Sequence, residues 1–474
     1  MISDMLAKQL VDVNDDDILS LGEDLHRKHR TDSDFKDLPK YDIPKSYYYD
    51  PVSIRHQVES KVKDRESRLR RFSYENNFTP NEQQSLLVPM LYNWYMEYTS
   101  GKSNKQYFSL SGPAGSGKTT IIRYAIEYIG LSIDQVACAA YVGKAVTVLN
   151  THGLNSRTVH SLIYVPTVVT EMDENGNPLR DRNGDPIQKV KFFKREELDY
   201  PYALIIIDEA SMINDQLRDE ILSFGVPVIF IGDMNQLEPI FGKGSVMLFP
   251  DFSLTQIMRQ KENDPIIQLS QMAIKNIPYT PGVYGKSRVI TSLTLNRSIL
   301  TDYDVIIVGT NKRRESLNNY IRSRLLNQHS IFPIPGERMI CRQNNWNISI
   351  GNGLFLTNGT AGDVMDVYRA KSTKYFEIDF KSDVSGQTKK KLKVDLQYLK
   401  ATPDERKIMG MSKYNKFEYG YAITAHLSQG SQYPKVLFID EPFGGDLENR
   451  CKLRYTAITR ASEAIDILIP GRRL

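Results

Sequence analysis

The segment Gly112–Thr119, which reads Gly-Pro-Ala-Gly-Ser-Gly-Lys-Thr, constrains the fold of this 474-residue chain more than any other. It fits G-x-x-x-x-G-K-[ST] and lies between a strand pattern at residues 107–110 and a helical pattern at 119–126. The glycines let successive backbone N–H groups face one oxyanion, and the helix N-terminus adds the positive end of its dipole. The alternative is a glycine-rich turn that only opens a helix. The strand and helix on either side favour a nucleoside triphosphate site in an α/β fold.

Each part of this loop has an expected role. We expect Lys118 to reach the β- and γ-phosphates, and the hydroxyl of Thr119 to bind Mg²⁺. The cofactors are therefore ATP and Mg²⁺. The predicted nucleotide-binding residues here are Gly112, Pro113, Ala114, Gly115, Ser116, Gly117, Lys118, Thr119 and Thr120.

Length and composition exclude several classes of protein. A chain of 474 residues predicts two to four domains, and 41% hydrophobic with 25% charged residues is typical of a soluble globular protein. The net charge of +4 permits a nucleic-acid partner without requiring one. Cys138, Cys341 and Cys451 are odd in number and far apart, which indicates neither a disulfide framework nor a zinc site. Without a signal peptide or a long apolar run, we expect no membrane association and a cytoplasmic location, the host cytoplasm for a phage protein.

Strands and helices alternate in two blocks, over residues 76–262 and 263–474. The strands are continuous apolar runs, which suits parallel sheets covered on both faces. Residues 1–75 form a charged arm instead, with an acidic start and a basic helical run at 55–71. Such an arm is either a solvated tail or a segment that binds DNA or a protein partner.

The first ordered helix is expected just after the arm. Thr79 with Glu82 predicts a capping box, with Pro80 at the first helical position. Apolar residues follow at helical spacing, which places Leu86 on the core face together with Leu87, Met90, Leu91 and Trp94.

Two insertions interrupt the alternating blocks. Residues 164–197 have β-rich flanks around two Asn-Gly dipeptides, which predicts a protruding hairpin. Residues 363–415 contain three strand patterns and suit a small β-barrel. Its lysines at 389, 390, 391 and 393 are either a solvated strand face or a guide for a nucleic-acid strand.

Two further strands end in polar residues that suit ATP chemistry. The run at 204–207 leads into Asp208 and Glu209, at the edge where open α/β sheets bind ligands. We expect Asp208 to hold Mg²⁺ and Glu209 to activate the attacking water, although paired acids can also cap a helix. In the turn after residue 231, Gln236 is either an ordinary turn residue or a contact of the γ-phosphate.

The order of these segments resembles the superfamily 1B helicases, specifically the RecD-like group that includes the phage Dda helicase. The resemblance spans roughly residues 78–470 and is carried by Asp-Glu-Ala-Ser at 208–211 and Gly-Asp-x-x-Gln-Leu-x-Pro at 232–239. Further matching segments are residues 140–145, 158–161, 254–260, 310–314, 358–362, 421–431 and 455–461.

The resemblance implies two RecA-like motor domains, a hairpin called domain 1B and a small SH3-like barrel called domain 2B. It implies that Arg259 touches the γ-phosphate, that Arg460 is an arginine finger and that Gln83 contacts adenine, with Glu82 as an alternative. It also implies that Gly430 is a nucleotide-binding residue. The implied DNA contacts are Tyr141, Thr158, His160, Asn311, Asn358, Thr424 and His426.

The chain departs from the family pattern at four positions. Tyr141 stands where the family usually has Pro, Val142 replaces Thr, Leu427 replaces a common Lys, and Gln432 a frequent Glu. These changes bear on DNA contacts and leave the ATP residues intact.

The resemblance implies an ATP-dependent DNA helicase that moves 5′ to 3′ in replication, recombination or repair. The alternatives are an ATPase translocase that displaces proteins without processive unwinding, and a catalytically idle binding module. The expected partners are single-stranded and forked DNA, and replication or recombination proteins through the arm. We expect a monomer.

Overall fold

The computed structural model describes residues 51–474 except for several short segments. These are residues 171, 174–175, 180–185, 187, 240–241, 257–263, 292–299, 352–353, 370–371, 410–411, 442–444 and 470–474. Residues 1–77 and 78–474 form two compact units. The predicted start of the arm, residues 1–50, therefore lies outside the described residues. No helix in the described part of the chain is long and apolar enough to cross a membrane.

The first unit contains one long helix, Pro51–Glu75. It confirms the helical pattern at residues 55–71. Oppositely charged side chains one turn apart pair along its exposed surface, as Arg71 Nε does with Glu75 Oε1 at 2.9 Å. Such exposed pairs add only about 0.3–0.5 kcal/mol each to helix stability.

The second unit contains two six-stranded sheets. In the first, all neighbouring strands are parallel, as the continuous apolar runs predicted. Their spatial order is Ser156–Thr158, Val136–Ala140, Leu204–Asp208, Val228–Gly232, Tyr107–Ser111 and Phe252–Ser253. The helices of this part are Glu82–Thr99, Lys118–Ile129, Gly143–Thr151, Val159–Ile163 and Asp215–Leu222, with 3-10 turns at Ile133–Gln135 and Ala210–Met212.

The second sheet is parallel except for its last strand, which runs antiparallel to its neighbour. The strand order is Ala422–Thr424, Val305–Val308, Tyr433–Ile439, Ala461–Leu468, Ser287–Ile290 and Gly282–Tyr284. Its helices are Pro265–Ile274, Asn311–Tyr320 with a π-helical continuation Ile321–Leu325, Ala425–Ser428 and Leu447–Ile458.

Apolar side chains from both faces of each sheet form the core. Ile207 and Phe230 in the first sheet, and Ile307 and Phe438 in the second, are completely buried. Each such side chain stabilises the fold by about 1.5–3 kcal/mol relative to an exposed one. These cores hold the strands of both sheets in fixed positions.

Two antiparallel structures project from this framework. The strands Tyr164–Thr170 and Gln188–Lys194 pair in register, Tyr164 opposite Lys194. A five-stranded sheet follows in the order Thr388–Asp395, Tyr375–Ser382, Ala361–Tyr368, Arg338–Cys341 and Phe417–Tyr419, with the short helices Leu396–Lys400 and Pro403–Ile408 beside it. Two of its strands lie outside the predicted range 363–415. A separate pair, Asn345–Gly351 and Leu354–Leu356, completes the strands.

The predicted start of the first helix is wrong by two residues. The N-cap is Asn81, whose side chain accepts a hydrogen bond from Gln84 N, while the side chain of Gln84 accepts one from Asn81 N. This capping box replaces the one expected from Thr79 and Glu82. The predicted core face is also wrong in part, because Leu86 is 59% and Met90 42% exposed, whereas Leu87 and Leu91 are completely buried. An asparagine two positions later caps as well as a threonine, and the tertiary contacts of Gln84 decide between them.

Candidate nucleotide site and nucleic-acid interface

The phosphate loop lies at the carboxyl end of the strand Tyr107–Ser111, in the first sheet. Lys118 Nζ donates hydrogen bonds to the backbone carbonyls of Gly112 at 2.6 Å and Pro113 at 3.0 Å, which holds the ammonium inside the loop. Gly115 and Gly117 have φ of 81° and 79°, a region in which side chains are strained. Within the described residues, the buried hydroxyl of Ser116 has no hydrogen-bond partner. The loop therefore presents an unsatisfied polar atom and a cation toward its centre.

The glutamines of the first helix take different positions at this loop. Gln84 is completely buried, and its Nε2 donates to the carbonyl of Ser116 at 3.2 Å. Gln83 Oε1 instead accepts hydrogen bonds from the backbone N–H groups of Thr255 and Gln256, at 3.0 and 3.2 Å. Gln83 thus ties the helix to the segment that leads toward residue 259. Arg259 itself lies outside the described residues, and Glu82 is exposed.

Asp208 and Glu209 stand at the carboxyl end of the strand Leu204–Asp208, which the strand Val228–Gly232 separates from the strand that leads into the phosphate loop. The backbone N–H of Glu209 donates to Asp208 Oδ1 at 2.9 Å, and Glu209 has a left-handed φ of 55°. Burial raises the pKa of Asp208, and the Lys118 ammonium partly offsets this. Burial and the neighbouring Asp208 raise the pKa of Glu209, while Arg460 and Lys118 lower it. A carboxyl group with a raised pKa is a better proton acceptor than an ordinary one.

Gln236 lies in the turn that follows the strand Val228–Gly232, one strand away from the phosphate loop. It is 5% exposed, and its Oε1 has no hydrogen-bond partner among the residues that the structure describes. The turn is held by Asp233, whose backbone carbonyl accepts a hydrogen bond from Gln236 N at 3.1 Å. An acceptor oxygen in this position can bind a water proton, and the amide N–H₂ of the same side chain can bind a phosphate oxygen.

Arg460 reaches the site from the second sheet, at the start of the strand Ala461–Leu468. The residue is 3% exposed, and its guanidinium donates to the carbonyls of Thr456 at 3.0 Å and Ser431 at 3.3 Å. Its charge lowers the pKa of both Glu209 and Asp233, which belong to the first sheet. The structure therefore brings Lys118, Asp208, Glu209 and Arg460 together, as expected.

The two sheets meet along residues 237–238 of the first. Leu237 N donates to Thr456 Oγ1 at 3.1 Å, and the Leu237 carbonyl accepts from Gln429 Nε2 at 2.9 Å. Lys452 Nζ pairs with Glu238 Oε1 at 2.7 Å. A bonded network between the sheets therefore runs directly beside Gln236.

Three of the departures from the family pattern lie at contacts within or between the two sheets. A Cβ at Gly430, which has a φ of 67°, would lie 2.2 Å from Val142 Cγ2, so Val142 and Gly430 are in direct contact between the sheets. Leu427 packs against the core of the second sheet. The carbonyl of Gln432 accepts a hydrogen bond from Lys144 Nζ at 3.1 Å. At positions 142 and 427, where the resemblance places polar residues, the side chains pack against apolar neighbours. At position 432 the backbone carbonyl makes the contact.

Two of the expected DNA contacts are helix caps. Thr158 Oγ1 accepts a hydrogen bond from Ser161 N at 3.2 Å and begins the helix Val159–Ile163. Thr424 Oγ1 accepts one from Leu427 N at 3.4 Å and begins the helix Ala425–Ser428. Each threonine ends an edge strand of its sheet. The structural role of both residues is therefore established by these bonds.

The aromatic residues among the expected DNA contacts connect to the hairpin. The rings of Tyr141 and His160 lie 5.8 Å apart, those of His160 and Tyr164 5.5 Å, and those of Tyr164 and Phe192 6.5 Å. Burial lowers the pKa of His160, and burial also lowers the pKa of His426. Both imidazoles are therefore neutral at physiological pH and suit stacking or a neutral hydrogen bond.

The remaining expected contacts lie at the surface of the second half. Asn311 is exposed at the start of the helix Asn311–Tyr320, which Thr310 caps. Asn358 is exposed in a turn, and its N–H donates to Asn344 Oδ1 at 2.8 Å. Tyr141, Thr158, Asn311 and Thr424 all follow or end strands at their carboxyl ends, so each sheet presents polar residues on that edge.

The donor set fits ATP with Mg²⁺. A buried hydroxyl without a partner, left-handed glycines and an ammonium group suit a triphosphate, as the phosphate loop predicts. The hydroxyl of Thr119 and the carboxylate of Asp208 are the hard oxygen ligands that Mg²⁺ prefers.

Several residues at the site were not identified as site residues from the sequence. Gln84, Asp233, Gln429 and Tyr455 make buried contacts with segments 32–222 positions away. The helical period that places Gln84 with Leu87 and Leu91 on one face was the signal that could have identified Gln84.

Comparison with known proteins adds independent findings. Two family models match: an AAA domain at residues 99–278 and a UvrD-like helicase C-terminal domain at 419–465. The chain is 26% identical to the ATP-dependent RecD2 DNA helicase of Deinococcus radiodurans, over 75% of this chain and 46% of that protein. It is 27% identical to the ATP-dependent DNA helicase dda of Enterobacteria phage T4, over 51% and 57% of the two chains.

Among solved structures, a Pif1 helicase from Bacteroides in complex with ADP-AlF3 and ssDNA is 18% identical, with a TM-score of 0.45. The similarity covers 82% of this chain and 92% of that one. The chain spans about half the length of the two curated relatives, 46% and 57%.

The two family models divide the nucleotide site between them. The first covers Lys118, Asp208, Glu209 and Gln236, and the second covers Arg460. The two family models and these two relatives support the expected resemblance to the RecD-like group of the superfamily 1B helicases.

Proposed function

We propose that this chain is an ATP-dependent DNA helicase that moves 5′ to 3′ along one strand and unwinds duplex DNA in replication, recombination or repair. The observation that carries the proposal is the meeting of Arg460, from the second sheet, with Glu209 and Lys118 of the first. The charge of Arg460 lowers the pKa of Glu209, so the two groups lie close enough to interact, and we infer that both act on one nucleotide. If ATP hydrolysis requires residues from both sheets, each hydrolysis event can change the position of one sheet relative to the other.

Hydrolysis is divided among four side chains. Lys118 neutralises charge on the β- and γ-phosphates, and Arg460 stabilises the charge that develops on the transferred phosphoryl group. Glu209 accepts a proton from the attacking water, and Gln236 orients that water through its Oε1. Mg²⁺, which Thr119 and Asp208 would hold, would supply positive charge that offsets the negative charge of the phosphates.

The DNA strand is moved by residues at the edges of the two sheets where the parallel β-strands end. If each sheet holds phosphates or bases of one strand through its own polar residues, opening and closing the cleft shifts one grip relative to the other. Thr158 and His160 serve the first grip, Thr424 and His426 the second. Contacts of this kind do not depend on base sequence, which suits a translocating enzyme.

The fold is then divided as follows. Residues 76–262 form motor domain 1A, with the hairpin 164–197 as domain 1B, and residues 263–474 form motor domain 2A, with the barrel 363–415 as domain 2B. The hairpin acts as a wedge between the strands, and the barrel, with exposed lysines at 389, 390, 391 and 393, braces it or guides the strand. The enzyme acts as a monomer, and the charged arm of residues 1–75 binds replication or recombination proteins.

An ATPase assay tests the proposal at its first step. We expect single-stranded DNA to increase ATP turnover by the full chain strongly, with single-stranded RNA as the second arm. Lys118→Ala should abolish turnover and keep single-strand binding, while Lys286→Ala, in an exposed turn, should match the wild type. Turnover near the wild-type rate in Lys118→Ala would refute the nucleotide site.

A further inference from the structure

Asp233 fixes the turn that carries Gln236. Its Oδ1 accepts a hydrogen bond from Asn235 N at 3.0 Å, and its carbonyl accepts one from Gln236 N at 3.1 Å. These two bonds set the direction in which the side chain of Gln236 leaves the backbone. The conformation of the turn therefore depends on the Asp233 carboxylate.

The other oxygen of this carboxylate is bound from the second sheet. Tyr455 OH, on the helix Leu447–Ile458, donates to Asp233 Oδ2 at 2.6 Å. Both residues are 1% exposed. Burial raises the pKa of Asp233, and Lys118 and the Tyr455 hydroxyl lower it. A buried carboxylate depends on such donors, because losing one leaves an unsatisfied charge that costs several kcal/mol.

We propose that Asp233 and Tyr455 are positioning residues for ATP hydrolysis. Their hydrogen bond holds the turn of residues 233–236, and with it the Gln236 amide, in the hydrolytic arrangement only while the two sheets are closed. The inference rests on the proposed ATPase function and names the side chains that link hydrolysis to closure.

The geometry explains why this pair is the link. Tyr455 moves with its helix, so separation of the sheets removes its hydroxyl from Asp233 Oδ2. The carboxylate then keeps the hydrogen bond that Asn235 N donates to Oδ1. Gln236 Oε1 would then no longer be held where it can accept a hydrogen bond from the attacking water. The neighbouring bond from Leu237 N to Thr456 Oγ1 also joins the sheets, but it does not involve the carboxylate that shapes the turn.

Tyr455→Phe tests the inference, because it removes one hydroxyl and keeps the ring. Tyr303→Phe is the matched control, since Tyr303 is another buried tyrosine whose hydroxyl donates to a buried aspartate, Asp466, within the second sheet. We expect Tyr455→Phe to lower the kcat of DNA-stimulated ATP hydrolysis about 10- to 100-fold, the range for a lost hydrogen bond to a charged group, with little change in KM. Tyr303→Phe should leave both constants unchanged.

A double-mutant cycle distinguishes positioning from general destabilisation. Asp233→Asn should also lower kcat, and the double variant should be no slower than the slower single variant, because both changes break one bond. We further expect ATP-analogue binding to tighten single-strand affinity in the wild type and not in Tyr455→Phe. If Tyr455→Phe lowers the Tm more than Tyr303→Phe does, Asp233→Asn decides in its place.

Three results would overturn the inference: a wild-type kcat in Tyr455→Phe, an equal loss in Tyr303→Phe, or losses that multiply in the double variant. Absence of ATP hydrolysis in the wild type would instead refute the proposed function, so the two failures are distinguishable.

Discussion

Arg460 Nε donates a hydrogen bond to the backbone carbonyl of Thr456, one helical turn earlier, at 3.0 Å. This bond, with those to Ser431 and Thr459, fixes the guanidinium before any phosphate is present. A charge that is already oriented stabilises a transition state without the cost of reorganisation. The second sheet therefore presents a preorganised cation to a site built on the first.

Arg460→Ala should lower the kcat of ATP hydrolysis by about 10³, the low end for arginine fingers, with a smaller effect on ATP binding. Arg454→Ala is a suitable control, because Arg454 lies on the preceding helix and pairs with Asp440 instead. Steady-state kinetics with single-stranded DNA measures both. An unchanged kcat in Arg460→Ala would remove the second sheet from the reaction.

Glu209→Gln should bind ATP with Mg²⁺ normally, since Asp208 and Thr119 remain, and should hydrolyse it about 10²–10⁴-fold more slowly, as expected for loss of a general base. Binding of a fluorescent ATP analogue, measured beside single-turnover hydrolysis, separates the two effects. A large loss of nucleotide affinity would show that Glu209 is a metal ligand rather than the base.

The residues of this site that could be predicted from the sequence are those that lie in short, recognisable sequence patterns. The phosphate loop, Asp208, Glu209 and Arg460 each sit in a short pattern whose neighbours fix their geometry, and the structure brings them together. Asp233 and Tyr455 are 222 positions apart, so only the packing of two sheets brings them into contact. The helix start was wrong for the same reason, because the contact between Gln84 and Ser116 favours Asn81 over Thr79 as the cap.

Protonation of His160 should destabilise the fold. Burial holds its pKa below the ordinary 6.5, so just below pH 6.5 the unfolded chain binds a proton that the folded chain does not. The free energy of unfolding should therefore fall as the pH decreases through 6.5 toward the lowered value. Urea unfolding at several pH values should show a smaller decrease for His160→Gln than for the wild type. A wild type that becomes more stable on acidification in this range would contradict the assignment.

The hairpin should be needed for unwinding and not for hydrolysis. Replacing residues 168–190 by a short Gly-Ser link should preserve DNA-stimulated ATP turnover and sharply reduce strand separation, because the ATP residues lie elsewhere. Phe192 is the sharper probe, since its ring packs near Tyr164, whereas Phe193 points to the other face of the same strand. Phe192→Ala should impair unwinding more than Phe193→Ala. Full unwinding by the folded deletion variant would make the hairpin a partner-docking or decorative segment.

Strand separation on forked DNA tests the central claim most directly. Substrates with the same duplex and either a 5′ or a 3′ single-stranded tail are incubated with the full chain, ATP and Mg²⁺. We predict ATP-dependent unwinding of the 5′-tailed substrate, little unwinding of the 3′-tailed one, and none with Lys118→Ala. Vigorous DNA-stimulated ATP hydrolysis without separation of either substrate would contradict helicase activity, and unwinding of the 3′-tailed substrate alone would contradict the direction of movement.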